Sequence, residues 1–404
     1  MDPNKRNVTA IKLRGEKSDG LFLHLTALAS FGDITTLSEG DRIDNFNGHE
    51  ICHKYIPVKQ TRQGGYSEGN RTRKKKVPVA PLFSEHADTE QLAYNLAAFK
   101  PGDEIEITLK MHGTSQRTGY LPTFKGYKRT LWDKITRKEG KPIYDWGYVS
   151  GTRRTVLENY DGGYYGDNAF REQHSKVFEG KLNKGESVYY EVVGFTNTGA
   201  PIMGNCDNKK LNDKDFVKQY GNTTVFSYGC EPHSYAFTGY NDSRPGYQDE
   251  PVEVTVPQSD IYVYRMTMTN EDGFVVEYTP DFMRYRCEQM GVKTVPVFWK
   301  GIIKEENFAP PSEEDREVGY LNGGKISAGE WIKNKAEEFY DGPDPIGKTH
   351  VREGVVVRII NRPKFCAYKH KNWYFKALEG IIKVEAEAPD MEEAESLIEE
   401  SENN

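Results

Sequence analysis

The chain has 404 residues and a formal net charge of −7, with 36% hydrophobic and 12% aromatic residues. That is too much chain for one small core and implies two or three domains. The mean hydropathy of −0.75 and the lack of a bilayer-length apolar run argue against a membrane-spanning helix, and "MDPNKRNVTAIKLRG" lacks the apolar block of a secretory signal, so a soluble cytoplasmic protein is expected.

In chain order, residues from about Val8 to Pro57 offer the short strand patterns "VTAIKLRG", "LFLHLT" and "DRIDNF", separated by "EKSDG" and "LSEG". Apolar runs between turn residues predict a small β-barrel over residues 1–60. Residues 61–80 are rich in Gly, Ser, Lys and Arg, with the basic block Arg71, Arg73, Lys74, Lys75 and Lys76, and read as a linker. Beyond it, Ser84 is placed to cap a helix carrying Leu92, Ala93, Leu96 and Ala97 on one face. Strand patterns then dominate: "DEIEITLK", "WGYVSGTRRTVL", "ESVYYEVVGF", "TTVFSYG", "DIYVYRMTMT", "GFVVEYT", "EGVVVRII" and "WYFKAL". Helical patterns lie between them near "NAFREQHSKVFEGKL", "DFMRYRCEQMG" and "AGEWIKNKAEEFY". Strands with interspersed helices predict an α+β domain over residues 81–384, built on antiparallel sheets with flanking helices.

Residues 385–404 form a tail with nine acidic residues and no basic one, so the body without it carries 54 basic against 52 acidic residues, formally about +2. Such a body is compatible with nucleic acid, because a local basic face matters more than the total. The five cysteines, Cys52, Cys206, Cys230, Cys287 and Cys366, form no close pair and read as reduced thiols.

Chemistry-bearing residues recur at strand ends. Lys110 closes an alternating strand and is followed by His112 and Gly113 in "KMHG". Arg153 and Arg154 sit in "SGTRRT", Glu191 in "YYEVVG", Tyr262 and Tyr264 in "IYVYRM", Glu353 and Arg358 in "EGVVVR", and Lys369 and Lys371 in "AYKHKNWYF". Each piece alone fits a solvated strand face.

The ordered set resembles the covalent lysine nucleotidyltransferases, and "KMHG", "YYEVVG", "EGVVVR" and "KHKNWYF" resemble the phage-type branch of ATP-dependent RNA ligases. "IKLRGEKSDGLFLHL" and "GDRIDNFNGHEICHKYIP" are similar to the OB-fold module that precedes the ligase domain in a smaller RNA-ligase group. The resemblance covers roughly Val8 to Lys383. It implies a nucleotidyltransferase domain that moves AMP from ATP onto Lys110, then onto an RNA 5′-phosphate, before a 3′-hydroxyl displaces AMP, in RNA repair or nick sealing.

The resemblance implies catalytic roles for Lys110, Glu353, Lys369 and Lys371, with Mg²⁺ or Mn²⁺ facing Glu353 and Glu191. It implies nucleotide contacts from His112, Gly113, Glu191, Tyr264 with Tyr262 as alternative, and Arg154 with Arg153 close behind. A free lysine titrates near ~10.4, so nearby cations and burial must favour the neutral amine. Two positions depart from the family pattern: Ser115 stands where some relatives carry asparagine, and Arg265 where relatives often carry aspartate. An OB-like module before the core, and none after it, favours RNA ligase over DNA ligase and capping-type enzymes; a non-catalytic nucleic-acid binder is the remaining alternative. The implied partners are RNA ends or a nicked duplex with an RNA 3′-hydroxyl, and a monomer is the default. The segment 160–176 is a candidate substrate loop, and Phe22, His24, Lys12 and Arg14 are candidate strand contacts of the first module.

Overall fold

The computed structural model describes residues 11–13, 16–18, 24–38, 41, 43, 45–51, 77–87, 89–136, 140–158, 160, 165, 168–240, 251–304 and 326–378. The chain divides into two units, Met1–Lys75 and Lys76–Asn404. The basic block at residues 71–76 and the acidic tail lie outside the described residues, as do Arg14, Phe22 and most of the interior of the 160–167 loop. Among the described residues no helix is long and apolar enough to cross a membrane.

In the first unit, Ile11–Leu13 pairs with Glu16–Ser18, and Asn45–Phe46 pairs with His49–Glu50, both antiparallel. No sheet closes into a barrel among the described residues. The strand expected in "LFLHLT" is corrected in part: Leu25–Leu28 is a 3₁₀ turn. The His24 ring caps it by accepting from Thr26 N–H at 3.4 Å. Leu25 is 46% exposed there, so this run has no sheet face on which to bury alternate residues.

The long strands of the second unit, in chain order, are β1 (Glu104–Lys110), β2 (Thr114–Lys128), β3 (Lys141–Gly151), β4 (Glu186–Gly194), β5 (Ser259–Thr269), β6 (Val297–Ile302), β7 (Gly354–Ile359) and β8 (Ala367–Lys371). The helices are α1 (Leu131–Thr136), α2 (Ala169–Lys176), α3 (Lys214–Tyr220), α4 (Pro280–Met290), α5 (Ala328–Glu337) and α6 (Trp373–Leu378). One sheet has the order β6-β1-β7-β8 with the short Glu90–Gln91 at its edge. The other runs from Val275–Glu277 through β5, β4, β2 and β3 to Val156–Leu157. This is the α+β architecture that the strand and helix patterns predict.

Period-two alternation sorts each sheet into a core face and a polar face. In the first sheet Ile105, Ile107, Val355, Val357 and Ile359 share a cluster with Ile332 and Ala336 of α5. Their neighbours Glu106, Lys110, Arg358, Lys369 and Lys371 therefore point the other way, and all are buried. In the second sheet Val188, Tyr190 and Val192 pack in a cluster with Phe170 of α2 and with Met283 and Cys287 of α4. That leaves Tyr189 and Glu191 on the opposite face. Fully burying an aliphatic side chain contributes about 1.5–3 kcal/mol, so these two clusters hold the polar faces in place.

Three further expectations are corrected. "WYFKAL" is the helix α6 and not a strand: Phe375 and Leu378, three apart, are its buried residues, and Asn372 starts it by accepting from Tyr374 N–H at 2.7 Å. The helix expected after Ser84 is two 3₁₀ turns, Leu92–Tyr94 and Leu96–Ala98. Pairing of Glu90–Gln91 with β8 takes the residues that would have formed its first turn. In "TTVFSYG" only Thr223–Thr224 is a strand, and Phe226 and Tyr228 are spent on the core.

Candidate active site

β7 lies between β1 and β8, and its first residue, Gly354, stands opposite both Lys110 and Lys371. The register thus brings the two lysines to either side of one residue, with Glu353 immediately before it. Glu353 is 1% exposed, Lys110 6% and Lys371 2%. Lys110 Nζ lies 2.7 Å from Glu353 Oε1, and Lys371 Nζ lies 3.2 Å from the same oxygen. Lys369 stands two pairs further down the ladder, opposite Val356. A glycine is required at 354: its φ is +148°, and a Cβ would meet His370 O at 2.1 Å and Lys371 Cα at 2.7 Å.

His112 fixes the turn that leaves β1. Its ring Nδ1 is 3.7 Å from Glu353 Oε2, and the rings of Phe226 and Phe375 meet it edge-on at 4.5 and 4.7 Å. Its backbone N–H donates to Tyr228 Oη at 2.7 Å. Burial, and then the Glu353 carboxylate, push the Tyr228 hydroxyl well above the usual phenol range, so it stays a neutral partner. The structure thus places His112 behind Glu353, 1% exposed and walled by aromatic rings. At Gly113 a Cβ would meet Val192 O at 2.4 Å and Glu191 Cγ at 2.9 Å. This glycine lets the turn lie against β4 and brings Glu191 beside the end of β1.

On the second sheet Glu191 stands opposite Ser115 on β2 and Tyr262 on β5. A bulge in the β4–β5 ladder leaves Tyr264 as the extra residue between Val263 and Arg265. Tyr264 Oη is 2.7 Å from Ser115 Oγ, and its ring is 5.1 Å from that of His86. Tyr262, the alternative, is 4% exposed and its hydroxyl donates to Asp260 Oδ2 at 3.4 Å. The bulge breaks the alternation that would have put the two tyrosines on one face, and the half-buried Tyr264 lies beside Ser115, His86 and the arginines.

His86 had no signal in the sequence. Burial and four guanidiniums, Arg265, Arg153, Arg117 and Arg358, hold its imidazole well below the usual histidine range. Arg265 forms a close ion pair with Glu277 and lies over the rings of Tyr189 and Phe365 at 4.5 and 4.6 Å. Arg358 also lies over the Phe365 ring, at 4.9 Å. Arg265, the departure from the family pattern, is thus carried by its own carboxylate and aromatic partners. Arg153 stands near His86, while the Arg154 carbonyl accepts from Arg117 at 3.1 Å.

The buried Arg117 ties the strand to the loops around it. It donates to the carbonyls of Thr152 at 2.8 Å and Phe83 at 2.9 Å, and also bonds Ser84 O. Its distance from Lys110 in the sequence hides this role, since nothing in "TSQR" says which carbonyls the guanidinium will reach.

No family model matches the sequence and no curated protein matches it. Among solved structures the chain is similar to Naegleria gruberi RNA ligase. With the ligase bound to PPi the TM-score is 0.41 at 15% identity, over 91% of this chain and 74% of that chain. With a mutant bound to ATP and Mn the TM-score is 0.40 at 14% identity, over 90% and 74%. With an apo mutant it is 0.42 at 15% identity, over 93% and 76%.

Proposed function

We propose that this protein is an ATP-dependent RNA ligase that works through a lysyl-AMP intermediate at Lys110. The observation that carries it is the buried amine pair of Lys110 and Lys371 on one Glu353 oxygen, at 2.7 and 3.2 Å. A strand-end lysine that only met solvent would not be 6% exposed with a second lysine beside it.

In the proposed first step Lys110 Nζ attacks the α-phosphorus of ATP, the bond to pyrophosphate breaks, and the amine gives up its proton. An oxygen of the RNA 5′-phosphate then displaces the lysine, and a 3′-hydroxyl displaces AMP to form the new phosphodiester. Burial and the Lys371 ammonium favour the neutral amine, whereas Glu353, 2.7 Å away, favours the ammonium and is assigned as its proton acceptor. Lys369 and Lys371 meet the charge that builds on the α-phosphate. Tyr264 is assigned to the adenine face and Arg153 or Arg154 to ribose or phosphate.

Among the described residues no group of three His, Cys, Asp or Glu side chains converges as a metal cage. Glu353 and Glu191 are assigned to Mg²⁺ or Mn²⁺, an ion that takes one or two carboxylates, water and the nucleotide's own phosphates. Such an ion, when bound, neutralises the phosphates and steadies the pyrophosphate leaving group. The first unit is assigned as the OB-like module of such an enzyme, with RNA repair as its setting.

The test is labelling with α-³²P-ATP and Mg²⁺ followed by denaturation. Label on the wild type and none on Lys110→Ala is expected; label retained by Lys110→Ala overturns the nucleophile. No label on wild type supports a non-catalytic binder, and label from GTP in preference to ATP supports a capping-type enzyme. Nicked duplexes with a ribose or deoxyribose 3′ end separate RNA from DNA ligation.

A further inference from the structure

β2 is paired with β4 only from Thr114 to Gly119, and its outer part runs beside β3, held also by backbone bonds from Gly185 N–H to Tyr120 O at 2.9 Å and from Phe124 N–H to Val79 O at 2.7 Å. Nine further residues carry it to Lys128, about 30 Å at the strand rise of ~3.3 Å per residue. A two-stranded ribbon of that length is marginal unless side chains stiffen it. They do: Leu121 is buried in a cluster with Ala80, Phe83 and Val149, Tyr120 stacks on Tyr148 with ring centroids 4.7 Å apart, and Phe124 meets Tyr144 at 6.0 Å and Tyr127 at 5.1 Å.

The tip of this arm differs in charge from the rest of the chain. Residues 125–141 hold seven Lys or Arg and two acidic residues, a net of +5 in a chain of net −7, so the remainder sums to −12. Lys128 and Lys141 stand directly opposite each other in the ladder. Like charges so placed destabilise a strand pair, and no fold requirement asks for them. Lys128, Arg129 and Lys141 are all exposed. On α1, between the two strands, Trp132 is 74% exposed and Ile135 73%. Clustered cations beside an exposed indole match a polyanion whose units also carry flat faces.

We propose that the tip of the β2–β3 arm is an RNA-holding surface, with Trp132 stacking on a base and Lys128, Arg129 and Lys141 on phosphates, remote from the joining site. This rests on the RNA-joining reading above. Ser115, at the site, is thirteen residues along β2 from Lys128, about 40 Å of strand, which equals about 12 stacked nucleotides at 3.4 Å each. The arm therefore acts on long RNAs and not on short ones.

The test uses the full chain and fluorescence anisotropy with end-labelled RNAs of about 6 and about 20 nucleotides. In the triple variant Lys128→Gln, Arg129→Gln and Lys141→Gln, Kd for the 20-mer rises about tenfold or more and the salt slope falls by about 2, three contacts at ~0.7 each. Trp132→Ala raises the 20-mer Kd by about fivefold or more without changing the salt slope. The 6-mer Kd stays unchanged in both. A 20-mer Kd within about twofold of wild type in both variants overturns the proposal. So does a Trp132→Ala variant that changes only the sedimenting species, since the patch is then an interface between copies. RNA-free lysyl-AMP labelling is run alongside: its absence in wild type sinks the ligase reading, while the Kd values judge the arm independently.

Discussion

At Glu353 one carboxylate oxygen serves two amines, at 2.7 and 3.2 Å, in a site shielded from water. Removing the carboxylate's charge while keeping its shape takes away the acceptor that Lys110 and Lys371 share. Glu353→Gln is expected to cut the rate of lysyl-AMP formation by about 100-fold, read by single-turnover labelling; a rate within about threefold of wild type would remove Glu353 from the proposed mechanism. Tyr264 permits a separation of packing from hydrogen bonding. Its ring faces His86 and its hydroxyl meets Ser115 at 2.7 Å. Tyr264→Ala is expected to raise the KM for ATP by about 5- to 150-fold, the loss of one stacked base, while Tyr264→Phe stays within about fivefold. Equal effects of the two substitutions would assign the role to the hydroxyl and not to the ring.

Among the elements, β7 holds the site by being central and by starting with a glycine that no other residue replaces. At φ +148°, with His370 O only 2.1 Å from where an alanine methyl would stand, Gly354→Ala must either part β7 from β8 or move Lys371. The expected outcome is a loss of several kcal/mol of stability in urea denaturation, with labelling lost even where the variant folds. Wild-type stability and labelling together would show that the ladder relaxes freely at this point. The sequence announced β1, β4, β5 and β7 because each alternates, or runs apolar between turns. The resemblance of its motifs also singled out Lys110, Lys371 and Glu353, and the ladder brings both amines within 3.2 Å of Glu353 Oε1. It did not announce α6, because "WYFKAL" is as good a strand by composition, and only the burial of Phe375 and Leu378 three residues apart separates the two. Nor did it announce the length of β2, where glycines and a proline interrupt the pattern although Leu121 is fully buried. His86 and Arg117 were illegible for a different reason: their roles are set by carbonyls and guanidiniums that come from distant segments.

Among the described residues, four buried histidines are held below the usual imidazole range, and this fixes the sign of their acid response. Burial is the largest cause of a lowered imidazole at His86, His174, His350 and His370. His174 is lowered to about 4, although Asp260 opposes the shift, and its Nε2 lies 2.8 Å from Ser259 Oγ at the start of β5. A histidine whose folded value lies below 6.5 binds fewer protons folded than unfolded. Its contribution is complete above the unfolded value and is lost as pH falls toward the folded one. For His174 alone the loss at pH 5 relative to neutral pH is about 2 kcal/mol. Urea midpoints at pH 7.5 and pH 5 therefore fall together with acidity in the wild type. In His174→Gln, which cannot take up the proton, the difference between the two pH values shrinks by about that amount. An unchanged difference would mean that the imidazole is protonated in the fold at pH 5, with Asp260 dominating over burial.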